Sequence, residues 1–253
     1  LQIDLRVVPL ESFGAALQYF TGSKEHNIEL RGRAKQRGLK INEYGVYRVD
    51  GAQEERVAGA SEEDVYRTLD LPVFPPELRE ARQEFRWADA GSLPVLVTDR
   101  DMQGDLHMHT TETDGLASLE DMAEAARARG LKYIAITDHS KRVTMARGLD
   151  AKRLLRQWTA IDALNATFGH GFRVLKGIEV DILEKGGLDL PDDILAQADW
   201  VVASVHFGQN QPRQRITARI VGALENPYVS AIAHPTGRLL NQRKPYEVDL
   251  DAV

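Results

Sequence analysis

The sequence predicts an α/β fold: a curled run of parallel strands joined by helices, preceded by a smaller α+β region. Three observations carry this expectation. From Gly104 onward, strand-like and helix-like segments alternate. Before about residue 85 the rhythm differs, with short alternating strands and a basic helix. Residues able to bind metal gather at the ends of the predicted strands, where a β/α barrel keeps its chemistry. The expected organisation is 1–85 as one region, 86–103 as a linker and 104–253 as a second domain.

In the first region "QIDLRVVP" (2–9) alternates like a strand, and Asp4 taken alone reads as a strand-edge acid. "ESFGAALQYF" (11–20) has helical spacing, and Gly22 follows it as a stop signal. A basic helix follows in the run Lys24–Lys40, where Asn27 and Arg31, four residues apart, share a face. "KINEYGVYRVDG" (40–51) alternates like a strand, and "AGASEE" (58–63) is a turn before a helix. Leu69–Glu80, rich in proline and apolar residues, reads as an extended connector.

In the second region "GDLHMHT" (104–110) is a strand. "SLEDMAEAARARG" (118–130) is a helix with Ser118 as N-cap, Asp121 in the capping-box position and Gly130 as stop. "KYIAITDH" (132–139) is a buried-type strand, and Asp150 precedes a helix over 151–169. "FRVLKGIEVD", "DWVVASVHF" and "YVSAIAHP" supply three more strands. Repeated units of this kind imply right-handed crossovers between parallel strands.

Composition narrows the chemistry. The 253 residues, 43% of them hydrophobic, can bury a sizeable core. No apolar run is long enough to span a membrane, and the first residues lack the pattern of a signal peptide. The chain opens inside a strand-like segment without an initiator Met, so a piece of a longer protein is expected. The absence of cysteine excludes disulfides, thiolate metal sites and cysteine nucleophiles, and fits a cytoplasmic setting. Any metal must be held by His, Asp and Glu, which favours ions such as Mn, Mg, Fe or Zn. A net charge of −6 argues against nucleic acid only if read globally, because basic residues cluster in Lys24–Lys40 and Lys141–Arg156.

Five of the seven histidines fall at strand ends: His107 and His109 on the first, His139 beside Asp138 on the second, His206 on the fourth and His234 on the fifth. Glu179 ends the third. Residues two apart on a strand point to one face, so His107 and His109 can grip one ion from one rigid element. Asp114, in the loop beyond, can reach a neighbouring ion, and Glu179 has two oxygens with which to bridge a pair. Such paired ions activate a water and stabilise the leaving oxygen in phosphoester hydrolysis. His170 is expected to face solvent, His26 belongs to the first region, and Asp181 and Asp189 read as loop acids outside the coordinating set. Arg238 reads equally as a phosphate holder near His234 or as a surface residue. No Ser–His–Asp or P-loop pattern competes.

"HMHT", "TDHS", "GIEVD", "SVH" and "AHPTGR", in this order from Gly104 to the end, resemble the motifs of the polymerase and histidinol phosphatase (PHP) domain. The resemblance implies a distorted β/α barrel, seven-stranded in the family, with up to three metals, Mn2+ or Zn2+. It implies that His107 and His109 bind the first metal with bridging Glu179, that Glu179, His206 and His234 bind the second, and that Asp114 and His139 bind the third. The family pattern ends with a late Asp-x-His pair that these residues do not contain. The barrel is therefore expected to be incomplete, with the first and third metals each short of a ligand.

"QIDLRVV", "YFTGSKEHN" and "INEYGVY" resemble the end of the palm and the thumb of family X DNA polymerases. The resemblance makes Asp4 a third catalytic carboxylate for Mg2+. It puts Tyr19, Phe20, Gly22 and Asn27 in a nucleotide pocket, with Arg31 facing the template. A thumb followed by a PHP domain is the arrangement of bacterial and archaeal members. The function implied is gap-filling DNA repair synthesis from deoxynucleoside triphosphates, with the PHP domain as a metal-dependent 3′–5′ exonuclease. Lys141, Arg142 and Arg147 are expected to steer the DNA backbone. The rivals are a small-molecule phosphomonoesterase of histidinol-phosphatase type and a non-catalytic PHP domain that braces the polymerase.

Overall fold

The computed structural model describes residues 3–253, which divide into two units, one ending at Leu96 and the other running from Val97 to Val253. The first unit opens with α1 (Phe13–Thr21) and α2 (Lys24–Gln36). Gly22 ends α1 in extended backbone, and the Ser23 side chain caps α2 by accepting from the His26 amide at 3.1 Å. Three antiparallel strands follow in sequence order, β1 (Leu39–Asn42), β2 (Gly45–Asp50) and β3 (Gln53–Ala58). The single strand expected over 40–51 is two, because Asn42 Oδ1 accepts from the amides of Tyr44 (2.9 Å) and Gly45 (3.2 Å) and turns the chain. Charged residues hide β3 from an apolar pattern, but Asp50–Gly51, with Gly51 at φ 59°, supplies its hairpin turn.

Ser61 caps α3 (Glu62–Arg67), and α4 (Glu84–Asp89) runs across the start of the expected linker. The strand expected over 2–9 does not form in residues 3–9, since no neighbouring strand among the described residues takes up their backbone hydrogen bonds. Gln2 lies outside the described residues. Leu69, Leu71 and Phe74 of the connector sit in a core with Leu30, Val46, Val65 and Phe85.

His26 is a structural node of this core. It is fully buried, with Nδ1 2.9 Å from Glu84 Oε1 and Nε2 3.1 Å from the Tyr66 hydroxyl. The amides of Ala81 and Arg82 donate to the same carboxylate at 2.6 and 2.9 Å. Burial pushes the His26 pKa below its ordinary 6.5, against the opposing pull of Glu84. A lowered folded value means the unfolded chain takes up a proton that the folded chain refuses. The stabilisation is thus complete above about pH 6.5 and is lost as pH falls through the lowered value. NMR titration should find the His26 ring neutral at pH 6.5; a midpoint at or above 6.5 would contradict this.

The second unit alternates strictly: β4 (Gly104–Met108), α5 (Leu119–Ala128), β5 (Tyr133–Ile136), α6 (Ala151–Phe168), β6 (Arg173–Asp181), α7 (Asp192–Leu195), β7 (Trp200–Ser204), α8 (Arg213–Leu224) and β8 (Ala231–Ile232). The sheet order is β4-β5-β6-β7-β8 and every pairing is parallel. Five strands are described in this sheet. Right-handed crossovers that always step the same way put every helix on one face, and the sheet curls as part of a barrel. Ser118 and Asp150 cap α5 and α6 as the sequence predicts.

Ile134, Ile136, Ile178, Val180, Val201 and Ala203 pack with Ala123 and Ala126 of α5, Leu154, Trp158 and Ile161 of α6, and Ile216 and Ile220 of α8. The alternation of the pleat sends Glu179 and Asp181, and likewise Ser204 and His206, to the opposite face. Among the described residues no helix is long and apolar enough to cross a membrane.

Candidate metal centre

Parallel pairing sets the centre of the site. The Ser140 amide donates to Glu179 O (3.0 Å) and the Glu179 amide to Asp138 O (3.1 Å), which draws His139 level with Glu179. Glu179 is 1% exposed. Its Oε2 lies 2.9 Å from His139 Nδ1 and 3.5 Å from Nε2 of both His107 and His109. Its Oε1 lies 3.0 Å from His234 Nε2 and 3.5 Å from His206 Nε2. Asp114 reaches in from its loop, 3.5 Å from His109 and 3.3 Å from His139. All seven expected metal-binding side chains of this unit therefore meet at one end of the sheet.

Three overlapping sets have donor atoms mutually within 4.8 Å: His107, His109 and Glu179; His109, Asp114 and His139; His139, Glu179 and His206. The first is the set the resemblance implies. His109 and His139 each belong to two sets, more widely than expected, and His234 belongs to none of the three, its Nε2 lying 3.0 Å from Glu179 Oε1 and its ring centroid 5.2 Å from that of His206. His234 stands in left-handed backbone at φ 30°, the Gly237 amide donating to its carbonyl at 2.8 Å, a strain that aims the ring inward.

The side chains fit divalent cations. His109 Nδ1 and His139 Nδ1 are buried without a hydrogen-bond partner, a rare condition that coordination would relieve. His139 Nδ1 is close to Glu179 Oε2 but off the hydrogen-bonding direction. Burial would raise the Glu179 pKa, yet the imidazoles of His107, His139 and His234 hold it far below the carboxylate range. Burial and the His139 ring push His109 down. Burial acts the same way on His139, but Glu179 and Asp114 overcome it and raise that ring. An ionised carboxylate among imidazoles, with no thiolate, suits borderline ions.

The surrounding acids differ from their sequence reading. Asp138 lies on the helix side of the pleat, fully buried, where it accepts from the Thr110 amide (2.8 Å), the Thr110 hydroxyl (2.6 Å), the Thr113 hydroxyl and Gln157 Nε2 (2.6 Å). It holds the loop that carries Asp114. Asp181 ends β6 rather than lying in a loop, Asp189 lies in the loop beyond as expected, and both are buried. Burial pushes the Asp189 carboxyl up, against the donors Ser140 and Arg142. The same loop has no room at Gly115, where a Cβ would stand 2.3 Å from His109 O. Gly115→Ala should cost about 1–3 kcal/mol of stability and displace Asp114. Thermal melts and metal analysis check this, and unchanged metal content would separate Asp114 from the centre.

The basic residues are partly engaged. Arg147 donates to Thr111 O (2.8 Å) and Thr113 O (2.6 Å), bracing the Asp114 loop. Arg142 pairs with Glu184 and lies over the Phe207 ring. Lys141 and the Arg238 side chain are exposed and make no hydrogen bond or ion pair among the described residues. His170 faces solvent as expected. Sequence reasoning missed Arg219, which its spacing from Ile216, Ile220 and Ala223 puts on the inward face of α8 and which is 4% exposed. Its guanidinium donates to Ile182 O, Leu183 O (2.9 Å) and Phe207 O (3.1 Å), tying the loops that follow β6 and β7.

In the first unit Tyr19, Phe20, Gly22 and Asn27 gather where α1 turns into α2. Asn27 is buried and its amide is spent internally, accepting from Gln18 Nε2 (2.8 Å) and donating to Tyr19 O (2.9 Å). Arg31 and Phe20 are exposed, Tyr19 and Gly22 half-buried, and Arg6 lies over the Phe20 ring. Asp4 is exposed in irregular backbone and, among the described residues, joins no cluster of possible metal ligands.

Two family descriptions match the sequence: "DNA polymerase beta thumb" over residues 16–80 and "PHP domain" over residues 105–236. The "DNA polymerase/3'-5' exonuclease PolX" of Bacillus subtilis (strain 168) is 48% identical over 250 residues, 98% of this chain and 43% of that protein. A "Probable phosphatase" of Acetivibrio thermocellus is 36% identical over 135 residues, 52% of this chain and 53% of that protein. "Probable phosphatase Teth514_1060" of Thermoanaerobacter sp. (strain X514) is 32% identical over 154 residues, 59% of this chain and 58% of that protein. The chain spans about half the length of the curated relatives it matches.

Proposed function

Because the chain belongs to the PHP domain family, we propose that its second unit is a metal-dependent phosphodiesterase acting as a 3′–5′ exonuclease on DNA, within a family X polymerase that fills gaps during repair in the cytoplasm. The observation that carries the reading is the convergence of five imidazoles and Asp114 around one buried carboxylate, in a chain whose first part matches a polymerase thumb.

His107, His109, Asp114, His139, Glu179, His206 and His234 would hold Mn2+ or Zn2+. When bound, such ions lower the pKa of a water and stabilise the negative phosphate oxygens. The chain's own part is to fix the donors and shield them. Glu179 stays ionised at the centre, Asp138 and Arg147 hold the loop bearing Asp114, and Lys141 and Arg238 offer exposed positive charge to a phosphate backbone. In the longer protein Asp4 would serve the polymerase site with Mg2+ and deoxynucleoside triphosphates, with Tyr19, Phe20, Gly22, Asn27 and Arg31 along the nucleotide and template path.

The PHP half alone is compatible with a small-molecule phosphomonoesterase, as the relatives named as phosphatases indicate. The thumb match favours DNA. The test compares turnover of 3′-labelled single-stranded DNA and of histidinol phosphate, with Mn2+ and after chelation. Chelator-sensitive loss of the 3′ label supports the exonuclease. Turnover of histidinol phosphate alone sinks it, and no turnover of either leaves a bracing domain.

A further inference from the structure

His206 is backed by a carboxylate outside the expected ligand set. Its Nδ1 lies 3.1 Å from Asp181 Oδ1, and its backbone amide donates to that same oxygen at 3.1 Å. One oxygen thus fixes both the ring and the main chain of His206.

Asp181 is itself held rigidly. It is fully buried at the end of β6. Its amide donates to Ser140 Oγ (3.0 Å) and Asp189 Oδ1 (3.1 Å), while Ser140 Oγ donates to Asp189 Oδ1 at 2.7 Å and the Arg142 amide to Asp189 Oδ2 at 2.8 Å. Asp181 Oδ2 has no hydrogen-bond partner. A buried carboxylate needs positive charge nearby; the Arg219 guanidinium acts on Asp181 through space, and His206 is the metal-site side chain in direct contact with it.

The chemistry of the pair allows one arrangement. Oδ1 already accepts from the His206 backbone amide, and as an acceptor toward the ring as well it places the proton on Nδ1. Nε2 then presents its lone pair toward Glu179 Oε1, 3.5 Å away. Ser204 Oγ also lies 3.1 Å from Nδ1, but a hydroxyl both donates and accepts and so selects no tautomer.

We propose that Asp181 is a positioning residue that locks His206 in its Nδ1–H tautomer and thereby sets the affinity of the Glu179–His206 side of the centre for a divalent cation. The inference rests on the metal-centre reading. It gives a task to a residue whose place in the sequence suggested a bystander.

Asp181→Leu removes the acceptor at similar size, and Asp181→Asn keeps a carbonyl acceptor without the charge. Zn2+ binding is measured for the 253-residue chain and both variants, together with imidazole nitrogen–proton NMR of the metal-free proteins at about pH 8. Asp181→Leu should weaken Zn2+ binding at one site about 10–100-fold and move the His206 proton from Nδ1 toward Nε2. Asp181→Asn should keep the tautomer and lose less affinity. Wild-type affinity in Asp181→Leu, or equal losses in both variants with an unchanged tautomer, would overturn the proposal. An Nε2–H tautomer in the metal-free wild type would overturn it without any variant, should Asp181→Leu fail to fold. A wild-type chain that takes up no Zn2+ would instead overturn the metal-centre reading on which the proposal stands.

Discussion

Glu179→Ala should strip the centre of metal and, on the proposed function, lower 3′–5′ nuclease turnover about a hundredfold or more. Every imidazole of the centre lies 2.9–3.5 Å from one of its two oxygens. Deleting the carboxylate removes a donor shared by two of the three candidate sets and leaves the imidazoles with no central counter-charge. Elemental analysis and 3′-label release measure the two effects. A fall of less than tenfold, about 1.4 kcal/mol of barrier, would mean that Glu179 does not bridge the catalytic ions.

Arg219→Met should destabilise the second unit by about 3 kcal/mol, since each buried acceptor left without a donor costs about 1–3 kcal/mol. Ile182 O and Phe207 O would lose the guanidinium that draws the β6 and β7 loops together, while Leu183 O would keep the Gly186 amide. Arg219→Lys should recover little, because an ammonium lacks the planar fork that reaches several carbonyls at once. Chemical denaturation of the chain decides it. A loss below about 0.5 kcal/mol, the range of ordinary surface substitutions, would make Arg219 a surface residue after all.

These two residues mark what the sequence made legible. Glu179 and the histidines were readable because each ends a strand in an alternating β–α pattern, and such ends converge whenever parallel strands follow one another. Arg219 was missed although its spacing puts it on the apolar face of "RQRITARIVGAL" with Ile216, Ile220 and Ala223, because a charged residue there is explained only by acceptors from other elements. The same holds for Asp138 beside His139: adjacency in the sequence put them together, while the pleat sends Asp138 to Gln157 and His139 to the metal face. Asn27 is a further case. The motif that named it gave no sign that its amide also joins α1 to α2. The segment over 3–9 had the alternation of a strand and lacked the neighbour that makes one.

The order of the sheet has a consequence for how the unit comes apart. Donors come from β4, from the residues just past β5, from β6, and from the residues just past β7 and β8. A cation held by such donors is bound fully only when the contributing strands are docked, so loading and complete folding become one linked equilibrium. Ligand at a hundred times its dissociation constant stabilises the bound state by about 2.7 kcal/mol. In the loaded protein the fraying of a single contributing strand must also release or weaken metal. Local openings that would be cheap in the bare sheet are thereby raised toward the free energy of unfolding the whole unit.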